Sequence, residues 1–70
     1  MHDKSTPSPA ADALNGARAI AEFIGQPLRR TIYLLETRRL PAGKLGATWV
    51  ASRTRLATFY AEIAAGERVA

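Results

Sequence analysis

Residues 27–39 read PLRRTIYLLETRR, and the stretch divides into two faces when it is placed on an α-helix. One face is apolar and suited to packing, and it consists of Leu28, Ile32 and Leu35, with Thr31 at its edge. The opposite face carries guanidinium groups, hydroxyls and an aromatic ring, and it consists of Arg30, Tyr33, Leu34 and Thr37, flanked by Arg29. The pattern predicts an amphipathic helix with a chemically unusual outer face.

That outer face has the side chains expected of a helix that enters a DNA groove. Guanidinium groups bind phosphates and guanine edges, hydroxyls bind phosphates, and an apolar group contacts a thymine methyl. We therefore interpret the stretch as a DNA-recognition helix. The alternative is a solvated face on an ordinary amphipathic helix, since charged outer faces are common.

The positive charge is concentrated in the middle of the chain. Residues 26–56 contain seven basic side chains and one acidic one, a net charge of +6, so the remainder of the chain carries −2 of the total of +4. With a pI near 10.4, this distribution favours a polyanionic partner, with nucleic acid first among the candidates.

Length and composition exclude several classes of function. Seventy residues make one domain at most, and without cysteine there is no disulfide, thiolate chemistry or cysteine-based metal site. The one histidine, His2, follows the first methionine. No pair of titratable groups is placed as nucleophile and base, so we expect no enzyme, catalytic residue, metal or cofactor. No run is long enough for a membrane span, and no signal peptide is evident, so we expect a soluble intracellular protein.

Three segments divide the chain. Residues 1–14 are rich in Ser, Thr, Pro and Ala, and we expect a disordered arm. Residues 15–66 form the folded domain, and residues 67–70 form a tail. The first helix is predicted from Gly16 to Ile24, with Asn15 as its N-cap and Gly25 as its C-terminal cap. Its apolar face consists of Ile20, Phe23 and Ile24.

After a short turn, the second helix begins near Pro27, and it should end near Arg39 because Leu40 precedes Pro41. A β-hairpin follows with its tip at Gly46, with Leu45 and Trp49 facing inward and Lys44 and Thr48 facing outward. Ser52 caps a third helix from about Arg53 to Ala65, which ends at Gly66. Its apolar stripe consists of Leu56, Phe59, Tyr60 and Ile63.

Two arginines lie in the first turn of that third helix, where the helix dipole disfavours cations. Arg53 and Arg55 at this place indicate an anion nearby, or charges screened by solvent.

The ordered set of elements resembles the small winged helix-turn-helix domains of the excisionase type, which are related to the DNA-binding domains of MerR-type regulators. The matching pieces span residues 17–63, and they are AIAEFIG, RRTIYLL, LPAGKLG and WVASRxxL. Apolar Leu34, Ala47 at the wing and a longer turn before Thr31 depart from the family pattern. The resemblance implies a mostly α fold of three helices plus a two-stranded wing, with the second helix in the major groove.

Family members are architectural factors for site-specific recombination, or small transcriptional regulators, often on mobile elements of bacteria or phages. We therefore expect sequence-specific binding of double-stranded DNA by a cytoplasmic, nucleoid-associated protein in an excisionase-like role, with transcription regulation as the alternative. A protein-interaction module is the alternative from another class. Other copies of the chain on adjacent sites and an integrase or recombinase are further candidate partners. The expected DNA-binding residues are Arg29, Arg30, Tyr33, Leu34, Thr37, Arg38, Arg39, Lys44, Thr48 and Arg53.

Overall fold

The computed structural model describes residues 9–69, which form a small mixed α/β fold. Seven elements follow one another in the order α1 (Pro9–Asp12), β1 (Ala13–Asn15), α2 (Ala17–Ile24), α3 (Leu28–Glu36), β2 (Ala42–Leu45), β3 (Thr48–Ser52) and α4 (Arg53–Ala64). The strands form one antiparallel sheet in the order β1-β3-β2. The part of the chain described thus has four helices and three strands, where three helices and a two-stranded wing were predicted.

The third strand comes from the segment that was predicted to be a disordered arm. Strand β1 pairs with β3 through Ala13↔Ser52, Leu14↔Ala51 and Asn15↔Val50, and the Gly16 N–H donates to the Trp49 carbonyl at 2.7 Å. Leu14 is buried in the core. For residues 9–14 the prediction was wrong, because composition does not reveal pairing with a strand 37 positions further on. Residues 1–8 lie outside the described part of the chain.

Helix α2 begins and ends close to its predicted bounds. Its N-cap is Gly16, which makes no side-chain hydrogen bond, so the assignment of Asn15 as the cap was wrong: Asn15 belongs to β1. Gly25 ends the helix with φ of 72°, as expected of a left-handed cap. Ile20 is fully buried, but Phe23 is 43% exposed and lies off the packed face.

Helix α3 ends at Glu36, three residues earlier than predicted. The chain leaves the helix through Arg38, whose φ is 61°. The Arg38 N–H donates to the Leu35 carbonyl at 3.1 Å, and the Arg39 N–H donates to the Leu34 carbonyl at 2.8 Å. This pair of bonds is a Schellman motif, with arginine where glycine is usual.

The hairpin has its tip at Gly46, as predicted, with φ of 64°. Its register pairs Leu45 with Thr48 and Lys44 with Trp49. Side chains alternate between the faces of a strand, so Leu45 cannot share a face with Trp49. Leu45 is 76% exposed, and its predicted inward position was wrong.

The core lies between the sheet and helices α2, α3 and α4. Its buried apolar side chains are Leu14, Ile20, Ala21, Leu35, Leu40, Ala51, Leu56 and Phe59. Thr31 is also fully buried, and its hydroxyl donates to the Pro27 carbonyl at 3.0 Å, which satisfies it without another partner. Trp49 is half-buried and packs against this cluster. The core therefore fixes α3 by Thr31 and Leu35 and leaves its opposite side to solvent.

Helix α4 is capped twice at its N-terminus. The Ser52 hydroxyl accepts from the Arg55 N–H at 3.1 Å, as predicted. The Asp12 carboxylate accepts from the Ser52 hydroxyl, and from the N–H and hydroxyl of Thr54 at 2.9 and 2.7 Å. The hydroxyl of Ser52, both donors of Thr54 and the charge of Arg53 hold the pKa of Asp12 below its ordinary value. The anion that the basic first turn indicated is therefore a carboxylate of the chain itself.

Candidate nucleic-acid interface

The outward side of α3 carries three of the predicted site residues. Arg29, Arg30 and Tyr33 are exposed, and Tyr33, at 56%, lies near the middle of this side. They follow the helical period away from the buried Thr31 and Leu35. None of the three side chains makes a hydrogen bond or ion pair within residues 9–69. They are free to bind a partner.

Leu34 does not lie on this side as predicted. It is half-buried and packs against the core cluster. The reason is that the part of the α3 surface in contact with other elements is wider than the face formed by Leu28, Ile32 and Leu35. A direct contact between Leu34 and a DNA base is therefore not offered by this surface.

Three predicted site residues follow the helix instead of belonging to it. Thr37 is the C-cap, and its hydroxyl donates to the Tyr33 carbonyl at 2.7 Å, so its proton is not available to a phosphate. Arg38 and Arg39 are exposed in the turn beyond it. Because the chain reverses there, the two arginines point to different surroundings.

A groove of about 300 Å³ lies between the end of α3 and the hairpin. It is lined by Glu36, Arg38, Gly43, Lys44 and Trp49. The Lys44 ammonium lies 5.0 Å from the centre of the Trp49 ring, a cation–π contact. Lys44 is thus on the Trp49 side of the hairpin and not on the side predicted, although it stays exposed. Arg38 and Lys44 bring two positive charges to one groove.

A second groove, of about 290 Å³, lies between α3 and α4. Its polar lining consists of Gln26, Arg30, Tyr33, Arg39 and Tyr60, and its apolar lining consists of Leu34, Leu40, Phe59 and Ile63. Gln26 and Tyr60 were not among the predicted site residues. No spacing in the sequence relates them to α3, since the packing of α4 brings Tyr60 there.

The remaining predicted residues lie elsewhere. Thr48 is exposed opposite Leu45 on the outer face of the hairpin. The Arg53 guanidinium donates to the carbonyls of Ala11 and Ala13 at 2.5 and 3.1 Å, so it ties β1 to α4 and is not grouped with the cations around α3. The cations that remain in α3, the turn after it and the hairpin are Arg29, Arg30, Arg38, Arg39 and Lys44. Arg30 and Arg39 line one groove, and Arg38 and Lys44 line the other.

These five cations are not compensated by ion pairs. Within residues 9–69, the ion pair that forms joins Arg68 to Glu62 at 2.7 Å, at the far end of α4. The acidic residue nearest in sequence to the cations is Glu36, in the groove with Arg38 and Lys44. The surface along α3 and beyond its end thus has a net positive charge and unused donors.

Comparison with protein-family models, curated proteins and solved structures finds no match to this chain. In the described part of the chain, no group of three or more His, Asp or Glu side chains is arranged to hold a metal ion. Among the same residues, no helix has the length and hydropathy required to cross a bilayer.

Proposed function

We propose that the protein binds double-stranded DNA in a sequence-specific manner, without enzymatic activity, through α3 and the β2–β3 hairpin. The observation that supports this most strongly is the set of five exposed cations along α3 and beyond its end, none of which forms an ion pair within residues 9–69. In the proposed winged helix-turn-helix arrangement, α2 and α3 form the helix pair, joined by Gly25, Gln26 and Pro27, and the hairpin is the wing.

Roles within this surface follow from position. Arg30 and Tyr33 lie on the outward side of α3, and the N-terminal part of a recognition helix reaches the base edges. Arg29, Arg38, Arg39 and Lys44 neutralise phosphates. Four such contacts give a slope of about −3.6 for the logarithm of the binding constant against the logarithm of salt concentration.

The experiment measures the binding of two variants to two duplexes by fluorescence anisotropy. One duplex carries the selected site, which is the sequence that the parent binds most tightly, and the other carries a scrambled sequence. Arg30→Ala should weaken binding to the selected site by about 1–3 kcal/mol and leave binding to the scrambled duplex nearly unchanged. Lys44→Ala should weaken both by similar factors. If Arg30→Ala keeps the parent's preference for the selected site over the scrambled duplex, Arg30 does not read a base. If the salt slope of the parent is near zero, the proposal of DNA binding is wrong.

The biological setting follows from the arrangement of target sites. Several direct repeats close together, occupied by adjacent copies next to an integrase site, would favour an excisionase-like role in a cytoplasmic, nucleoid-associated protein. A single palindrome in a promoter would favour transcription regulation. A protein-interaction module, which would use Tyr33 and α4, should show no salt-dependent duplex binding.

A further inference from the structure

The groove between α3 and α4 combines an apolar lining with two guanidinium groups. Leu40 and Phe59 are buried at its base, and Leu34 and Ile63 are half-buried. Arg30 and Arg39 are both exposed and line the same groove. A concave apolar surface with a few convergent polar groups is the usual form of a small-molecule site.

The polar side chains of this groove form no hydrogen bond or ion pair in the described part of the chain. Within residues 9–69, the side chains of Arg30, Arg39, Tyr33, Tyr60 and Gln26 make no hydrogen bond or ion pair. The Thr37 hydroxyl donates to the backbone carbonyl of Tyr33, and the Arg68 guanidinium donates to the Glu62 carboxylate. Two guanidinium forks, two phenols and a carboxamide therefore remain available to one ligand.

Charge and volume define the class of ligand. No carboxylate lines the groove, so an anionic group would meet two arginines and no opposing charge. Arginine binds a carboxylate in a bidentate manner. The volume of about 290 Å³ is at the low end of ligand pockets, which suits a small molecule. The half-buried Tyr60 ring lines the groove, 5.8 Å from the buried Phe59 ring and nearly perpendicular to it, and offers a surface to an aromatic body.

We propose that this groove binds a small aromatic carboxylate, with the carboxylate held between Arg30 and Arg39 and the ring against Tyr60, Leu34 and Ile63. The binding site itself does not depend on the proposed DNA binding. One consequence does rest on it: Arg30, Tyr33 and Arg39 belong to both surfaces, so an occupied groove withdraws them from a duplex. The ligand would then act as a negative effector.

The first experiment uses the full chain without DNA, with 1-naphthoate as the probe and amide chemical shifts as the readout. We expect saturable shifts in α3, α4 and the turn at Arg39, with a dissociation constant of roughly 0.1–1 mM. The neutral probe 1-naphthamide should bind at least about fivefold more weakly. Arg39→Gln should weaken 1-naphthoate by about fivefold, and Arg18→Gln, an exposed arginine of α2 outside the groove, should leave it unchanged.

The second experiment measures duplex binding by the parent with and without saturating 1-naphthoate, where we expect weaker binding with it. No saturable shifts, shifts away from the groove, or equal binding of acid and amide would overturn the ligand site. Binding of an acidic amphipathic peptide but not of 1-naphthoate would assign the groove to a protein segment and overturn it as well. If the chain binds 1-naphthoate but no duplex, the ligand site stands and the proposed DNA binding fails. If both bind without competition, the effector role is wrong.

Discussion

Replacing Arg38 by glycine should give a more stable fold than replacing it by alanine, and both changes should weaken DNA binding. Three helices are followed by a residue in the left-handed conformation: Gly25 after α2, Arg38 after α3 and Gly66 after α4. Their φ angles are 72°, 61° and 79°. The pair of Schellman hydrogen bonds forms around Arg38 and around Gly66. Of the three residues, only Arg38 has a side chain in this strained conformation.

The magnitude follows from the backbone. A left-handed conformation costs about 1–2 kcal/mol for a residue with a Cβ, and glycine relieves it. Glycine also loses more chain entropy on folding, by about 0.5–1 kcal/mol, and the variant lacks the favourable contact of a cation with a helix C-terminus. Against Arg38→Ala, which loses the same charge, the net stabilisation by glycine should be about 0.5–1 kcal/mol, which raises the Tm of a domain of this size by roughly 3–6 °C. Against the parent, the lost contact of the cation with the helix C-terminus offsets most of this gain.

Thermal unfolding by circular dichroism should be measured for Arg38→Gly beside Arg38→Ala. Both variants lose the charge, but alanine keeps the strain. The difference between their melting temperatures therefore reports the backbone contribution to stability. Gly25→Ala is the reciprocal change: an added Cβ meets no atom within 4 Å there, so only strain should lower its stability, by about 1 kcal/mol.

A melting temperature of Arg38→Gly at or below that of Arg38→Ala would refute the left-handed turn. In duplex titrations, both Arg38 variants should lower the salt slope by about 0.9. An unchanged slope would show that the cation at position 38 does not contact a phosphate.

Two further predictions test the ends of the sheet. The pKa of Asp12 is depressed in the folded state, so its contribution to stability is present above the unfolded pKa and is lost as the pH falls towards the folded pKa. The stability difference between the parent and Asp12→Asn, measured by urea unfolding, should therefore be constant above about pH 5 and shrink below about pH 4; a constant difference down to pH 2 would exclude the carboxylate. Trp49→Ala should cost about 2 kcal/mol because Trp49 is half-buried, whereas Leu45→Ala, on the other face of the hairpin, should cost less than about 0.5 kcal/mol, and the reverse order would show that the register is wrong.

The elements that could be predicted are those specified by local chemistry. The left-handed cap at Gly25, the hairpin tip at Gly46 and the Ser52 cap of α4 each depend on a few adjacent residues. Their backbone requirements are visible in the sequence, because only certain residues satisfy them. The structure places all three where the sequence predicted them.

The elements that were missed depend on distant pairing. Strand β1 has three residues and little strand propensity of its own, and it is held by β3 and by the Asp12 and Arg53 contacts. The facing of Leu45 failed for a related reason. Once the turn is limited to Gly46 and Ala47, alternation places Trp49 opposite Lys44, and an inward Leu45 is incompatible with that register.

The same distinction separates the parts of the candidate site. The outward positions of Arg29, Arg30 and Tyr33 follow from the helical period, and these three were predicted correctly. Two other features depend on where α4 packs: Leu34 is excluded from the outward side of α3, and Arg39 lines a groove with Tyr60. The helical period of the sequence carries no information on this packing.

Because α3 ends at Glu36, the cations beyond it can be explained in two ways, by helix stability and by binding to an anion. Arg38 and Arg39 follow the last turn, where their N–H groups cap the carbonyls of Leu35 and Leu34 and their charges oppose the negative end of the helix dipole. That electrostatic gain, about 0.3–1 kcal/mol, is smaller than the strain of about 1–2 kcal/mol at Arg38, but glycine would lose about 0.5–1 kcal/mol of chain entropy, so helix stability alone selects neither residue. Arg39 has no such penalty, since its φ is not positive. Arg38 is therefore the cation whose presence is not explained by helix stability, and it is the side chain to test first for contact with an anionic partner.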